Sequence, residues 1–344
     1  MKRFSNKNID AGVVSFPKKG KHMNIVVTGG AGFLGQRLIH ALLQSAASDL
    51  LPAHARIVSL DRVACPLADP RLLSRVGDVA DSALLDELID NETALVFHLA
   101  AVVSGQAEAD FDLGMRVNLD ATRALLEACR QRARAPKLVF ASSLAVFGGE
   151  LPERVGEAQA TMPQSSYGAQ KAIGELLVAE YSRKGFIDGR ICRLPTISVR
   201  PGAPNAAASS FASGIIREPL MGLPSNCPVP LDTRLWLSSP ERVIANLLHA
   251  ARLDAAALGA QRTLNLPGIS VTVEQMLDSL ERLAGEQARA LVTHQHDPRV
   301  AAIVCSWPSD FDLQRATALG FQGDVDFDAV VAAHQRYLEV NAAR

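Results

Sequence analysis

Val27-Thr28-Gly29-Gly30-Ala31-Gly32-Phe33-Leu34-Gly35 is the stretch on which the fold turns. An apolar run, 24–28, leads into it and an amphipathic stretch, 33–45, leads out, so its glycines stand between a strand and a helix. Gly29 allows a tight turn, Gly32 lets a ligand reach the backbone, and Gly35 lets the helix pack closely on the sheet. The helix N-terminus stabilises an anion such as a pyrophosphate, which makes Gly29, Gly32, Phe33, Leu34 and Gly35 candidate ligand contacts. A glycine-rich turn alone is a weak signal and gains weight only from what surrounds it.

Further apolar runs follow at 56–60, 74–77, 94–98, 138–142 and 190–194, separated by helical stretches near 82–90, 111–132 and 167–184. This alternation predicts an α/β fold, a Rossmann-type doubly wound parallel sheet, and the near-continuous hydrophobicity of the runs suits strands buried on both faces. Asp61 closes the second run 26 residues after Gly35, near where an acidic side chain grips the adenosine ribose and repels a 2′-phosphate. NAD is therefore favoured over NADP, while Arg62 beside it is a residue that could pair with that phosphate instead.

After Pro195 the texture changes. Prolines at 201, 204, 219, 224, 228 and 230 punctuate a stretch expected to hold no long regular element. The expected organisation is a basic, turn-rich tail over 1–22, an NAD-binding domain over 23–194 and a smaller C-terminal substrate lobe over 195–344. A helix at 240–253 and a strand at 262–266 place about 238–266 back with the main sheet. Helices at 273–284 and 327–338 complete the lobe. Met23, directly before the first strand, is a candidate start of the chain.

With 344 residues, 48% of them hydrophobic, the chain can bury a large core. Lys plus Arg (35) nearly balance Asp plus Glu (36), so no overall field favours nucleic acid or an anionic membrane. No apolar run is long enough to span a bilayer. Five scattered cysteines without a C-x-x-C pair argue against disulfides and zinc, and fit a reducing cytoplasm. His294 and His296 have a spacing compatible with a metal, yet no third ligand stands near them in a recognised pattern, so no metal is expected.

Tyr167 and Lys171 lie four apart in a helical stretch and share one face. An ammonium beside a phenol favours the phenolate, the form a general base requires. Lowering a phenol from about 10 towards about 7 takes roughly 4 kcal/mol, for which Lys171 and a cationic nicotinamide are joint candidate sources. Ser143, at the end of a strand 24 residues upstream, is placed to hydrogen-bond the reacting oxygen.

In this order the motifs resemble the extended short-chain dehydrogenase/reductase family. The likeness runs from Met23 to about Leu338 and includes the glycine-rich turn, Gly77-Asp78-Val79, His98-Leu99-Ala100-Ala101, Asn118, Ser142-Ser143, Tyr167 with Lys171, and 312–316 ahead of 319–321. The resemblance implies that Asp78 and Val79 flank the adenine, and that Leu99, Ala100 and Ala101 meet the pyrophosphate and ribose. It also implies that Asn118 belongs to the cofactor site, that Lys171 holds the nicotinamide ribose, and that Pro195, Thr196 and Ile197 line the nicotinamide. A homodimer, paired through the helices at 111–132 and 167–184, is expected by the same analogy.

Many relatives act on nucleotide sugars, and this sequence departs from them at Phe147, Thr196 and Leu144. It is most similar to the branch of D-erythronate dehydrogenases, especially over 194–201 and 210–219, which implies oxidation of the hydroxyl beside a carboxylate of a small sugar acid. A carboxylate suits a planar Arg, with Arg200, Arg217 and Arg234 as candidates and Arg234 preferred. Ser104, on an expected loop with Gly105 and Gln106, is a candidate substrate contact together with Ser143, Tyr167 and Thr196. The alternatives are a nucleotide-sugar epimerase and a silent NAD(H)-binding sensor.

Overall fold

The computed structural model describes residues 23–44, 49–52, 55–202 and 206–342; the tail expected over 1–22 lies outside the described residues. In chain order the strands are β1 (Met23–Thr28), β2 (Ala55–Asp61), β3 (Leu72–Val76), β4 (Thr93–His98), β5 (Lys137–Ser143), β6 (Asp188–Leu194), β7 (Thr196–Ile197), β8 (Ser225–Cys227), β9 (Arg234–Ser238), β10 (Thr263–Asn265), β11 (Ile269–Thr272) and β12 (Val292–His294). Seven of them form a parallel sheet in the order β10-β6-β5-β4-β1-β2-β3, as expected of a doubly wound fold. The order reverses between β1 and β4, and the crevice outside the C-terminal ends of such strands is where open α/β sheets bind ligands.

Alternation along the strands divides the core between the two faces of this sheet. Ile25 and Val27 of β1, Leu95 and Phe97 of β4 and Val139 of β5 face α1 (Phe33–Leu43) and a second helix, Pro240–Arg252. Val26, Val96, Leu138 and Phe140 face α2 (Ser82–Leu88) and the helices Ala121–Arg132 and Ser166–Arg183. Helix Pro240–Arg252 ends against two cations of the sheet. Lys137 donates to the carbonyl of Ala251 at 3.0 Å, and Arg190, fully buried, donates to that of Ala250 at 3.0 Å. These charges answer the partial negative charge of the last turn.

Residues 111–132 do not form one regular helix. After α3 (Ser104–Ala109), α4 (Phe111–Gly114) passes into a π-helical turn, Met115–Asp120, before α5 (Ala121–Arg132) resumes. Ser104 therefore opens a short helix rather than sitting on a loop. The next helix, α6 (Ser166–Arg183), starts at Ser165, whose hydroxyl accepts from the Gly168 N–H at 3.2 Å.

Beyond β6, a three-stranded sheet (β11-β9-β7) and the pair β12-β8 pack with helices around a second core that includes Val199, Ile215, Leu237, Met276 and Val331. The proline-rich stretch does hold a regular element, contrary to expectation: α7 (Phe211–Leu220) runs for ten residues. Pro201 and Pro204 precede α7, and Pro219 falls in its last turn, so none interrupts its middle. Among the described residues no helix is long and apolar enough to cross a membrane.

Candidate active site

The glycine-rich turn is held by close packing. Gly29 has φ +72°, and a Cβ there would lie 2.8 Å from the Ala100 nitrogen; a Cβ on Gly35 would lie 2.1 Å from the Gly29 carbonyl oxygen. Gly32 is exposed and leads α1, whose first N–H groups receive no side-chain cap, an arrangement that fits an anion. At the end of β2, the Asp61 carboxylate accepts from the Ala31 N–H at 3.0 Å and the Arg62 N–H at 2.7 Å, which fixes it beside the turn. After β3, Asp78 accepts from the Ala80 N–H and pairs with Arg116 at 2.5 Å; these contacts, the backbone bond first, hold its carboxyl below the usual range. Val79 packs into the core beneath.

A directed chain of hydrogen bonds supports the loop after β4. Ala100 N–H donates to Thr28 Oγ1 (3.3 Å), which bonds His98 Nδ1 (2.7 Å); His98 Nε2 bonds Thr122 Oγ1 (2.9 Å), whose hydroxyl donates to the Asn118 carbonyl (2.7 Å). Each hydroxyl has one partner it must accept from and one it must donate to, so the chain is satisfied by a neutral His98 carrying its proton on Nε2. Burial, with Lys171's charge second, drives the His98 pKa down to about 3, in keeping with that neutral form.

Asn118 lies behind the loop instead of facing the crevice. Its side-chain oxygen accepts from the Val102 N–H at 2.8 Å, and its amide donates to Val102 O at 3.1 Å and to Gln170 Oε1 at 2.7 Å. Both of its polar atoms serve protein partners, so any influence on a cofactor passes through 99–102.

Ser143, Tyr167 and Lys171 line one cavity of about 210 Å³. Leu34, Leu99, Ala101, Pro195, Thr196 and Ile197 share its wall, as do Ser104 and Arg200. Its floor follows from a register between α6 and β5. Lys171 Nζ donates to the Ala141 carbonyl at 2.9 Å, the Ser142 hydroxyl donates to Glu175 at 2.5 Å, and Ser143 ends the strand. Glu175 also takes a bidentate pair from Arg193, both side chains 6% exposed. Tyr167, Lys171 and Glu175 thus repeat every four residues along α6 above three consecutive residues of β5.

Of the two charges expected to acidify the phenol, Lys171 is the one the chain supplies, and burial opposes it. Burial pushes the Tyr167 phenol up to about 12, with the Ser143 hydroxyl opposing it. Lys171 is lowered to about 8 by burial, and Glu175 opposes that shift. The ammonium stands 5.8 Å from the Tyr167 ring centroid with its hydrogen bond directed at Ala141, so desolvation outweighs its pull on the phenol.

Across the cavity, Arg200 and Arg217 lie in the wall with Ser209, Ser210, Ser213 and Trp307. Arg234, preferred from the sequence, is exposed at the start of β9 and lines a neighbouring depression that shares Leu144, Thr196 and Trp307 with the cavity. It stands outside the cavity because side chains alternate along β9: Leu235 and Leu237 enter the second core, leaving Arg234 at the rim. Ser104 is buried, and its hydroxyl accepts from the Ala208 N–H at 3.1 Å. Phe147 is buried beneath Arg193, 4.5 Å from its guanidinium, and is not part of the wall. His294 and His296 are exposed on and just beyond β12.

Sequence reasoning missed Glu175, Arg193 and the serines of 209–213. Glu175 is the third member of a four-residue repeat that begins at Tyr167, a signal present in the sequence. The serines carried none until α7 folded beside them.

A family model described as "NAD dependent epimerase/dehydratase family" matches residues 25–233. The chain is 55% identical to a D-erythronate dehydrogenase of Cupriavidus necator, over 91% of this chain and 98% of that one. It is 48% identical to a D-erythronate dehydrogenase of Haemophilus influenzae, over 92% and 99%. Among solved structures it is similar to one described as a nucleoside-diphosphate-sugar epimerase from Agrobacterium tumefaciens, with a TM-score of 0.84 and 37% identity over 94% of this chain and 97% of that one. Glycine-rich turn, strand-end Ser, and Tyr with Lys on one helix thus agree with relatives matched over most of its length: the chain belongs to the NAD-dependent epimerase/dehydratase family, the extended short-chain dehydrogenases/reductases.

Proposed function

We propose that this NAD-dependent oxidoreductase oxidises the 2-hydroxyl of a small sugar acid, D-erythronate, to 2-dehydro-D-erythronate. The observation that carries the reading is the convergence of Ser143, Tyr167 and Lys171 on one cavity walled by the 99–101 and 195–197 segments. The names of the relatives from Cupriavidus necator and Haemophilus influenzae supply the substrate.

In this reading Ser143 holds the reacting oxygen and Tyr167 takes the hydroxyl proton as the carbonyl forms. Lys171, with a pKa of about 8, stays mostly protonated at pH 7 and keeps a positive charge near the phenol. NAD, when bound, supplies the hydride acceptor and a cationic ring that adds to that charge. The uncapped N-terminus of α1, Gly32 and Asp61 fit its pyrophosphate and adenosine ribose, and Lys171 and 195–197 its nicotinamide end. Asp61 at the ribose favours NAD over NADP. Ser104 and Thr196 are assigned to the substrate hydroxyls.

Leu176, 70% exposed, and Ile173, 40% exposed, stand on the outer face of α6, which suits the homodimer implied by family resemblance. Free thiols at Cys65, Cys129, Cys192 and Cys227, all buried, suit a cytoplasmic protein.

The test is a panel of four- to six-carbon aldonates and nucleotide sugars with added NAD, followed by NADH absorbance. Stoichiometric NADH from D-erythronate is the expected result. Isomerised nucleotide sugar without net NADH would establish an epimerase instead, and cofactor binding with no turnover on any member would establish a sensor.

A further inference from the structure

Arg217 comes from α7 and is 3% exposed, and both of its Nη atoms have partners. One Nη donates to the Arg200 carbonyl at 2.6 Å and the other to Glu218 at 2.5 Å. Arg200 is different. Its guanidinium lies over the Phe33 ring, 5.6 Å from the centroid, and among the described residues no carboxylate pairs with it. Its backbone is fixed at both ends, by Arg217 on the carbonyl and by Ser213, whose hydroxyl accepts from the Arg200 N–H at 3.0 Å.

Two guanidiniums therefore share a wall against a single carboxylate, and none of the described residues lining the cavity is Asp or Glu. Burial, followed by the like charge of Arg217, disfavours the cationic form of Arg200. A partly buried cation beside another cation calls for a counter-charge, and among the described residues the carboxylate next to Arg217 in the chain, Glu218, is already paired with Arg217. A ligand carboxylate would meet that need.

We propose that Arg200, held in place by Arg217, is the carboxylate-binding pole of the cavity and sorts substrates by charge. A 2-hydroxy monocarboxylate pairs with the Arg200 fork while its hydroxyl faces Tyr167. A neutral polyol of the same length leaves the guanidinium unpaired, and a substrate bearing an ammonium finds no acid in the wall. Arg217 is a positioning residue, and Arg234, at the rim, takes no part. The assignment rests on the proposed dehydrogenase reading for its substrate, while the anion site stands on its own geometry.

The experiment compares wild type with Arg200→Met, Arg200→Lys and Arg234→Met. Turnover is read as NADH formation from D-erythronate and from erythritol, its neutral counterpart without the carboxylate. Binding of D-erythronate to the NADH complex is read by calorimetry. Arg200→Met is expected to raise KM and weaken calorimetric binding by about a hundredfold, with NADH affinity unchanged, because a desolvated charge partner has been removed. Its preference for D-erythronate over erythritol should collapse. Arg200→Lys, which keeps the charge and guards against a folding defect, should recover part of the loss, and Arg234→Met should stay within about threefold of wild type.

If Arg200→Met binds and turns over D-erythronate like wild type, or Arg234→Met carries the loss, the pole is misassigned. Wild type that binds D-erythronate through Arg200 but forms no NADH would leave the anion site standing and remove the dehydrogenase reading. Wild type that neither binds nor oxidises it would overturn both.

Discussion

The two walls of the cavity are built by different means. On the sheet side, Ser143, Tyr167 and Lys171 are set by a repeat of four along α6 against consecutive residues of β5, and Glu175 with Arg193 locks that register from below. On the lobe side, Arg200, Ser209, Ser210, Ser213 and Arg217 come from the segment between β7 and the end of α7. The buried Arg217 there is held through one backbone carbonyl and one carboxylate oxygen. The Glu175 carboxylate has both oxygens bonded, whereas the second oxygen of Glu218 has no hydrogen-bond partner. A wall whose carboxylate is fully bonded positions reacting atoms within tight limits, and a wall with fewer bonds sets which molecule is presented to them.

The largest effect that separates the walls is on chemistry. Tyr167→Phe removes the proton acceptor and should lower NADH formation by about a thousandfold, the scale of a lost general base, with NADH affinity measured by fluorescence unchanged. Near wild-type turnover in that variant would move the base elsewhere and erase the distinction. Next, Glu175→Gln leaves Arg193 buried against a neutral partner and should cost about 3–5 kcal/mol in urea unfolding. The equivalent Glu218→Gln should cost about 1–2 kcal/mol, since half of that carboxylate is already unbonded. The same Glu175 variant removes the charge that raises the Lys171 pKa, so the amine loses its proton at lower pH and the alkaline limb of kcat/KM should move down. Equal costs for the two Glu variants would show that the walls are equally rigid.

The same contrast governs what was legible in the sequence. The parallel sheet, the turn at 29–35 and the Ser143, Tyr167, Lys171 set were legible from apolar runs, glycine spacing, a strand end and a spacing of four, which are local properties of the chain. Asn118 meets the 99–102 loop from behind, because the π-helical turn at Met115–Asp120 points its amide at Val102 and Gln170. Arg200, Arg217 and Arg234 could not be ranked from spacing. Which of them enters the cavity depends on α7 folding against Ser198 and Arg200 and on the alternation of β9, both products of tertiary packing. The phenol shows the same limit: a repeat of four reports proximity to Lys171 but says nothing of the desolvation that opposes it.

Acid should test the sheet side through His98. His98 is held neutral, with a pKa of about 3, while in the unfolded chain it titrates near 6.5. Between those values the unfolded state binds the extra proton, so stability is lost as pH falls below about 6.5 and continues to fall towards about 3. His334, lowered to about 4 by burial and by Arg217 and Arg37, adds to the same slope. Melting temperatures from pH 7 to pH 4 should therefore decline, by several kcal/mol in stability overall. His98→Gln should be less stable at pH 7 and show a shallower decline. An unchanged slope in that variant would place the acid sensitivity outside the His98 chain.

The smallest effects discriminate most finely, because one substitution can be made on both walls. Ser143→Ala removes a donor to the reacting oxygen and should reduce kcat by about a hundredfold with little change in KM. Ser213→Ala removes a hydroxyl that accepts from the Arg200 N–H and donates to the Ile197 carbonyl at 3.3 Å, so it loosens the backbone that carries the guanidinium. One neutral hydrogen bond is worth about 1 kcal/mol, which corresponds to a rise in KM of about fivefold with kcat preserved. The split matters more than the size. A hydroxyl that acts only through the placement of Arg200 weakens ground state and transition state alike, whereas a hydroxyl on the reacting oxygen acts when charge develops there. If Ser213→Ala lowered kcat as Ser143→Ala does, Ser213 would belong with the reacting groups and the lobe wall would take part in the chemical step.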